Sequence, residues 1–290
     1  MLLLLLLVVQ CALVLSAPAV GRSFAVIFDC GSTGTRVHVF SWRSAGEAVG
    51  GLPDVKAEPG GYAKVSPGIS SFEAHPESAG GSLKSLLDLA ERAVPASEHA
   101  HTRVLLHATA GMRLVARRRA QRIYSSLFEA VQARGTFKAR REDFGTLSGE
   151  DEGVFGWLCA NYLLKRVGSI SELGSVGALD LGGGSTQITL ATNAHAGESS
   201  QIDPRLATEA ARPAATAQPR VALPSGAVSV FTHSHLGFGN KQVLAAFAAT
   251  EAAACLAAGA NASWEPSNRS ADYAAYLNRG ANEGAYMLKG

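Results

Sequence analysis

At 290 residues the chain has room for one large or two small domains, and 47% hydrophobic content is enough for a sizeable core. The 26 basic and 24 acidic residues leave a net charge of +2, which argues against a nucleic-acid binder and against a polyanionic tail. Neither a Walker loop nor a Gly-x-Gly-x-x-Gly turn opening a helix is present, so the two commonest nucleotide folds are excluded.

Residues Met1 to Leu15 are almost wholly apolar and lead to Ala17-Pro-Ala19, which is like a signal-peptidase site. The run predicts a cleaved secretory signal over 1–19, with an uncleaved membrane anchor as the alternative; either puts the folded part in the secretory pathway, secreted or lumenal. Two acceptor sequons at Asn261 and Asn268 agree with that compartment. Cys11 belongs to the leader. Cys30, Cys159 and Cys255 have no metal-type spacing, and the first two read as small buried residues.

Phe24-Ala-Val-Ile-Phe-Asp-Cys-Gly-Ser-Thr-Gly-Thr-Arg-Val-His-Val-Phe40 reads as a buried strand ending in Asp29, a Gly/Ser/Thr turn and a second strand. Ser44 to Gly61 is Gly/Pro/Glu-rich and reads as a surface loop, and Tyr62 to Phe72 as a short strand with a Pro-Gly turn. Helical spacing marks Ser82 to Val94, stopped by Pro95. Arg103 to Arg113 predicts a strand running into a small-residue turn, followed by a helix over Val115 to Ala133. On that helix Arg117, Arg118, Arg119 and Arg122 form a solvated face. His107 reads as structural, whereas Thr109 and Arg113 stand where an α/β protein presents groups to a crevice, Arg113 being equally readable as a surface ion pair.

Glu150, Asp151 and Glu152 fall in the first turn of a helix with apolar Val154, Phe155, Leu158, Tyr162 and Leu163. Acids there complement the helix dipole, and one aimed into a cleft would be a general base; the pattern does not choose among the three. Gly177-Ala-Leu-Asp-Leu-Gly-Gly-Gly-Ser-Thr-Gln-Ile-Thr-Leu190 then repeats the opening motif, a strand carrying Asp180, three glycines, Ser185, Thr186 and another strand. Glycine turns bring backbone N–H groups close to a ligand in a concavity that suits phosphate. One such hairpin is only a turn; two, about half a chain apart, imply similar half-domains that clamp a nucleotide's phosphates. Ala191 to Ser225 is aperiodic and reads as an insertion, Val228 to Gly239 as a strand and turn, and Lys241 to Ala258 as an Ala-rich helix. His233 and His235 share one strand face with no third zinc ligand.

Together these stretches resemble the apyrases, the nucleoside triphosphate diphosphohydrolases that remove terminal phosphates from NTPs and NDPs. The likeness runs from Phe24 to Cys255. It is carried by Asp29-Cys-Gly-Ser-Thr-Gly-Thr-Arg, Ser66-Pro-Gly-Ile-Ser, Ala108-Thr-Ala-Gly-Met-Arg, Ser148-Gly-Glu-Asp-Glu-Gly-Val-Phe-Gly-Trp, Leu179-Asp-Leu-Gly-Gly-Gly-Ser-Thr-Gln and Thr232-His-Ser-His-Leu-Gly-Phe-Gly. The resemblance implies an α/β, actin-like (ribonuclease-H-like) two-lobe fold, with lobes at 22–145 and 146–290 and an insertion at 192–225 in the second. It implies nucleoside tri- or diphosphate and Mg²⁺ or Ca²⁺ in the cleft. By the same resemblance Glu152 is the catalytic base, Ser185 and Gln187 place the attacking water, and Asp29 and Asp180 hold the metal through water. Ser32, Thr33, Gly34 and Thr35 match one phosphate loop, Gly182, Gly183, Gly184, Ser185 and Thr186 the other, with Thr109 in the same cleft and Arg36 and Arg113 as further candidates. Cys30 and Gly184 stand where the family often has Ala. The family's fifth region is not reached by Gly290, so an incomplete second lobe is expected. The rival readings are an exopolyphosphatase sharing the Asp-Leu-Gly-Gly-Gly-Ser-Thr loop and a nucleotide-binding protein without turnover.

Overall fold

The computed structural model describes residues 21–43, 48–168, 170, 174–192, 219–224 and 226–243. The leader, most of the 192–225 stretch, Cys255, both sequons and most of the helix expected over 241–258 lie outside these residues.

The first sheet is built on β1 (Arg22–Gly31) and β2 (Gly34–Arg43), an antiparallel pair whose two-residue turn is Ser32-Thr33. A short ribbon of β3 (Ala48–Val49) and β4 (Leu52–Pro53) leads to β5 (Lys56–Val65), which pairs antiparallel with β2. Three-ten turns at Ile69–Glu73 and Pro76–Leu83 precede α1 (Lys84–Ala93), and another at Ala96–His101 precedes β6 (Arg103–Ala108), parallel to β1. A single turn, α2 (Ala110–Arg113), and the long α3 (Arg117–Arg134) cross over to β7 (Lys138–Thr146), parallel to β6. The strand order is β5-β2-β1-β6-β7.

The second sheet follows α4 (Gly149–Leu163). It comprises β8 (Ala178–Leu181), β9 (Ser185–Thr192), β10 (Arg220–Leu223) and β11 (Gly226–Leu236), all antiparallel in the order β10-β11-β9-β8. Each sheet therefore contains the same unit: a strand ending near an aspartate, a Gly/Ser/Thr turn, an antiparallel return, and a third strand antiparallel to the second. In the first sheet the unit is β1-β2-β5; in the second it is β8-β9-β11.

Burial on both faces explains why β1 is an unbroken apolar run rather than an alternating one. Phe24, Val26 and Phe28 pack with Leu86 and Leu87 of α1 and Ile123 and Leu127 of α3; Ala25 and Ile27 pack with Trp157 and Leu158 of α4. Helix α4 is apolar around most of its circumference because it lies between the sheets, with Val230 of β11 in the same cluster as Ile27. Its ends are tied by polar contacts. Ser148 Oγ accepts from Asp151 N at 2.9 Å as the N-cap. Buried Asn161 donates to Val176 O at 3.1 Å and accepts from Val176 N at 2.9 Å, which fixes the chain entering β8.

Five strands depart from the sequence reading, in three places. The loop expected over Ser44 to Gly61 contains β3, β4 and the start of β5. Strand β5 is largely exposed, and its Pro59-Gly60-Gly61 is tolerated because it is an edge strand with a register shift opposite His38 and Phe40. Strand β7, which no pattern announced, has charged exposed residues on an edge. Within the expected insertion, Arg220–Leu223 forms β10, held by backbone pairing to β11.

Candidate active site

The two glycine turns meet. A Cβ added to Gly183, between β8 and β9, would lie 2.4 Å from Ser32 Oγ and 3.4 Å from Thr33 Cγ2 in the turn between β1 and β2. Each turn is braced from behind. Ser66 Oγ donates to Thr33 O at 3.1 Å, while the second turn is locked to the chain leaving β11: Gly237 N donates to Gly184 O at 3.0 Å and Asn240 N to Gly182 O at 3.0 Å. A Cβ on Gly239 would fall 2.3 Å from Gly184 N, so this approach requires glycine. Within the second turn Gly182 N itself donates to Ser185 O at 2.9 Å.

Asp29 and Asp180 stand on the strands leading into these turns, and Glu152 joins them from the first turn of α4. Burial raises the pKa of Asp29 above the ordinary carboxylate value; Arg36, with Nη1 3.5 Å from Asp29 Oδ2, opposes this, and the charge of Asp180 adds to it. Burial likewise raises Asp180. Glu152 is raised first by burial, lowered by the charge and hydrogen bond of Arg113, and raised again by Asp180 and Asp29. Three carboxylates from three elements thus act on one another across one crevice.

The surroundings of Glu152 are specific. Oε2 receives Arg113 Nη2 in a buried ion pair and Gln187 Nε2 at 3.2 Å. Among the described residues no donor reaches Oε1. Gln187 Nε2 also lies 2.7 Å from Ser185 Oγ and 2.9 Å from Ser234 Oγ, and Arg113 Nη1 lies 3.5 Å from Ser185 Oγ. Gln187 Oε1 is buried with no donor, an arrangement that costs on the order of 1–3 kcal/mol unless something in the cleft supplies a proton.

Not every expected residue sits in this cluster. Thr35 shares the helix-covered face of the first sheet with Val37 and Val39 and is 1% exposed, so its hydroxyl is turned from the cleft by strand alternation. Gly34 is explained by β5: its Cβ would strike Val65 O at 2.5 Å. The Thr186 hydroxyl donates to Phe238 O at 2.6 Å. Thr109 is buried at the start of α2, where it makes no capping bond. Arg113 is no surface ion pair; its side chain is 12% exposed, and Nε donates to Leu147 O at 3.0 Å. Ser234 was not singled out from the sequence, although it lies in the quoted Thr232 to Gly239 stretch. His107 lies beside Asp29 on the same sheet face, its pKa lowered by burial to about 4, and is neutral at neutral pH. His233 and His235 meet edge to face at 4.4 Å on the opposite face of β11 from Ser234.

The two aspartates suit a hard divalent cation. No group of three or more His, Cys, Asp or Glu ligands occurs among the described residues. Two carboxylates leave most of the oxygen shell of a hard divalent cation to other ligands, unlike a closed protein cage.

Comparison with known proteins identifies the family. The chain is 32% identical over 218 residues to ectonucleoside triphosphate diphosphohydrolase 5 of Gallus gallus, covering 75% of this chain and 47% of that protein. It is 31% identical over 222 residues to the guanosine-diphosphatase of Schizosaccharomyces pombe, covering 76% and 37%. The solved nucleoside triphosphate hydrolase structure from Neospora caninum superposes with a TM-score of 0.51 at 18% identity, covering 76% of this chain and 45% of that one; the likeness is one of fold, a mixed α/β architecture. The chain spans about half or less of the length of these relatives. The model of the GDA1/CD39 (nucleoside phosphatase) family matches residues 18–273, a span that takes in both glycine turns, their aspartates and the helix of Glu152, and the chain belongs to that family.

Proposed function

We propose that the chain hydrolyses the terminal phosphates of nucleoside tri- and diphosphates, with Glu152 as general base. The observation that carries this reading is the convergence of Asp29, Asp180 and Glu152 at the point where Gly183 and Ser32 close on each other. Residues 22–145 and 146–290 are read as the two lobes that face each other there.

The terminal phosphates lie between the turns, taking hydrogen bonds from their N–H groups and from the hydroxyls of Ser32, Thr33 and Thr109. Ser185 Oγ already faces donors from Gln187 and Arg113, so its own hydrogen is free for a phosphate oxygen or a water. The attacking water gives one hydrogen to Glu152 Oε1 and the other to the undonated Gln187 Oε1. As its oxygen bonds to the terminal phosphorus, the bridging P–O bond breaks, its electrons leave on the nucleotide, and the water's proton passes to Glu152. Asp29 and Asp180 would hold a divalent cation, which would neutralise charge on the phosphates. The apolar leader supports a secretory, secreted or lumenal location. No helix of the described residues is long and apolar enough to cross a membrane.

The test is Glu152→Gln. Turnover of ATP and ADP is expected to fall on the order of 10²-fold or more while nucleotide binding persists. Wild-type phosphate release by this variant would remove Glu152 from the mechanism.

A further inference from the structure

We infer that Arg113 is a positioning residue for the base: reaching across from the first sheet, it pins Glu152 by one oxygen and leaves the other to take the proton. The inference rests on the reading of Glu152 as general base.

Its footing is geometric. Arg113 ends the single-turn helix behind β6, yet among the described residues its guanidinium bonds to groups belonging to the second unit and the chain leading to it. Nε donates to Leu147 O at 3.0 Å, Nη2 lies 3.5 Å from Ser148 O and pairs with Glu152 Oε2, and Nη1 approaches Ser185 Oγ at 3.5 Å. A planar fork with five donors can satisfy these directions together; a flexible ammonium cannot. Since Gln187 Nε2 also points at Oε2, both protein donors are on the same carboxylate oxygen. Glu152 can then neither rotate freely nor offer Oε2, and Oε1 becomes the proton acceptor.

Arg113 also governs when that acceptor is available. Charged groups facing Glu152 are Asp180 from β8, Asp29 from β1 and Arg113 from α2; its neighbours Gln187 and Ser234 from β9 and β11 are neutral, and Glu150 and Asp151 share its own helix. Burial and both aspartates favour the protonated, inactive carboxyl; Arg113 is the one charged group among these that favours the ionised form, and the hydrogen bond from Gln187 Nε2 acts in the same sense.

The experiment is the pH dependence of kcat and kcat/KM for ATP hydrolysis by wild-type protein, Arg113→Met and Arg113→Lys, beside Glu152→Gln. Arg113→Met is expected to move the acid limb upward by about 1 to 3 pH units, the range over which a neighbouring opposite charge shifts a carboxyl. Activity lost at low pH should then return in part at high pH. A merely structural arginine would lower the whole profile without displacing its limb, and a folded Arg113→Met with an unmoved limb overturns the inference. Should that variant not fold, Arg113→Lys decides: loss of about tenfold or more in kcat with nucleotide KM little changed supports pinning by the fork, and wild-type kcat refutes it. Glu152→Gln separates the two ideas, since an active Glu152→Gln defeats the base assignment, whereas an inactive one beside an unmoved Arg113→Met limb defeats only the role of Arg113.

Discussion

Gly183→Ala tests whether the two turns really close on one ligand. The new methyl carbon would sit 2.4 Å from Ser32 Oγ and 3.8 Å from Ser32 Cβ. Non-bonded heavy atoms rest at about 3.5 Å, so either the turns part by about 1 Å or Ser32 swings its hydroxyl away. A misplacement of about 1 Å in a reacting site costs on the order of 10²-fold, and that loss in kcat/KM for ATP and ADP is expected. Ser32→Ala alone removes one hydrogen-bonding hydroxyl and should cost about tenfold. In the double variant the offending oxygen is gone and the remaining contacts, 3.4 Å to Thr33 Cγ2 and 3.8 Å to Ser32 Cβ, are ordinary, so the two losses should fall short of adding, by about 0.5–3 kcal/mol of coupling. Phosphate release at saturating divalent cation measures the rates, and thermal melts verify folding. Strictly additive losses, or wild-type turnover by Gly183→Ala, would mean that the turns do not face each other across a shared cleft.

Two further outcomes follow from the same geometry. Asp29, Asp180 and Glu152 have folded-state pKa values raised above those of ordinary carboxyls, so the folded protein binds more protons than the unfolded one in that window. Stability therefore falls as pH rises from the ordinary carboxyl range through the raised values, and the penalty is complete above them. At neutral pH Asp180→Asn should melt higher than the cation-free wild type, and it should lose most of the roughly 2.7 kcal/mol that a divalent cation at about 100 times its Kd gives the wild type; an unchanged cation effect on its melting would reject Asp180 as a holder of the metal. Ser148→Ala removes the N-cap of α4, one turn from Glu152, and should lower stability by about 1 kcal/mol in denaturant titration.

What the sequence discloses of this site follows from how local each feature is. The strand–turn–strand units around Asp29 and Asp180 are legible because apolar runs, a carboxylate and glycines fall within about a dozen residues. Glu152 could be placed at a helix start but not chosen over Glu150 and Asp151 from pattern alone; the structure shows it buried at 6% exposure while Asp151 is on the outer side. Strands β7, β10 and the first half of β5 were illegible for a shared reason: each lies at an outer position of its sheet with little apolar alternation, and backbone pairing, which leaves no compositional trace, holds it there. The contact between Arg113 and Glu152 spans 39 positions and two structural units, so no periodicity could announce it. Thr35 shows the converse failure. A motif match put Thr35 in the phosphate loop, and the two-residue alternation of β2 turns its side chain to the helix-covered face, which leaves its backbone as the part that could serve there.

The arrangement also divides the work of neutralising three mutually repelling carboxylates. If a single cation served all three, removing it would protonate the base along with its ligands. Here Glu152 has its own counter-charge in Arg113, and it sits in the first turn of α4 where the helix dipole favours an anion. Asp29 has only the longer 3.5 Å contact with Arg36, and Asp180 has no ion-pair partner among the described residues. On the proposed reading the two aspartates are left under-compensated until a cation arrives with the nucleotide, while Glu152 already has its counter-charge. Because Arg113 comes from the first sheet and Glu152 from the second unit, the proposed base would be held in its working orientation only when the two halves of the cleft are in register.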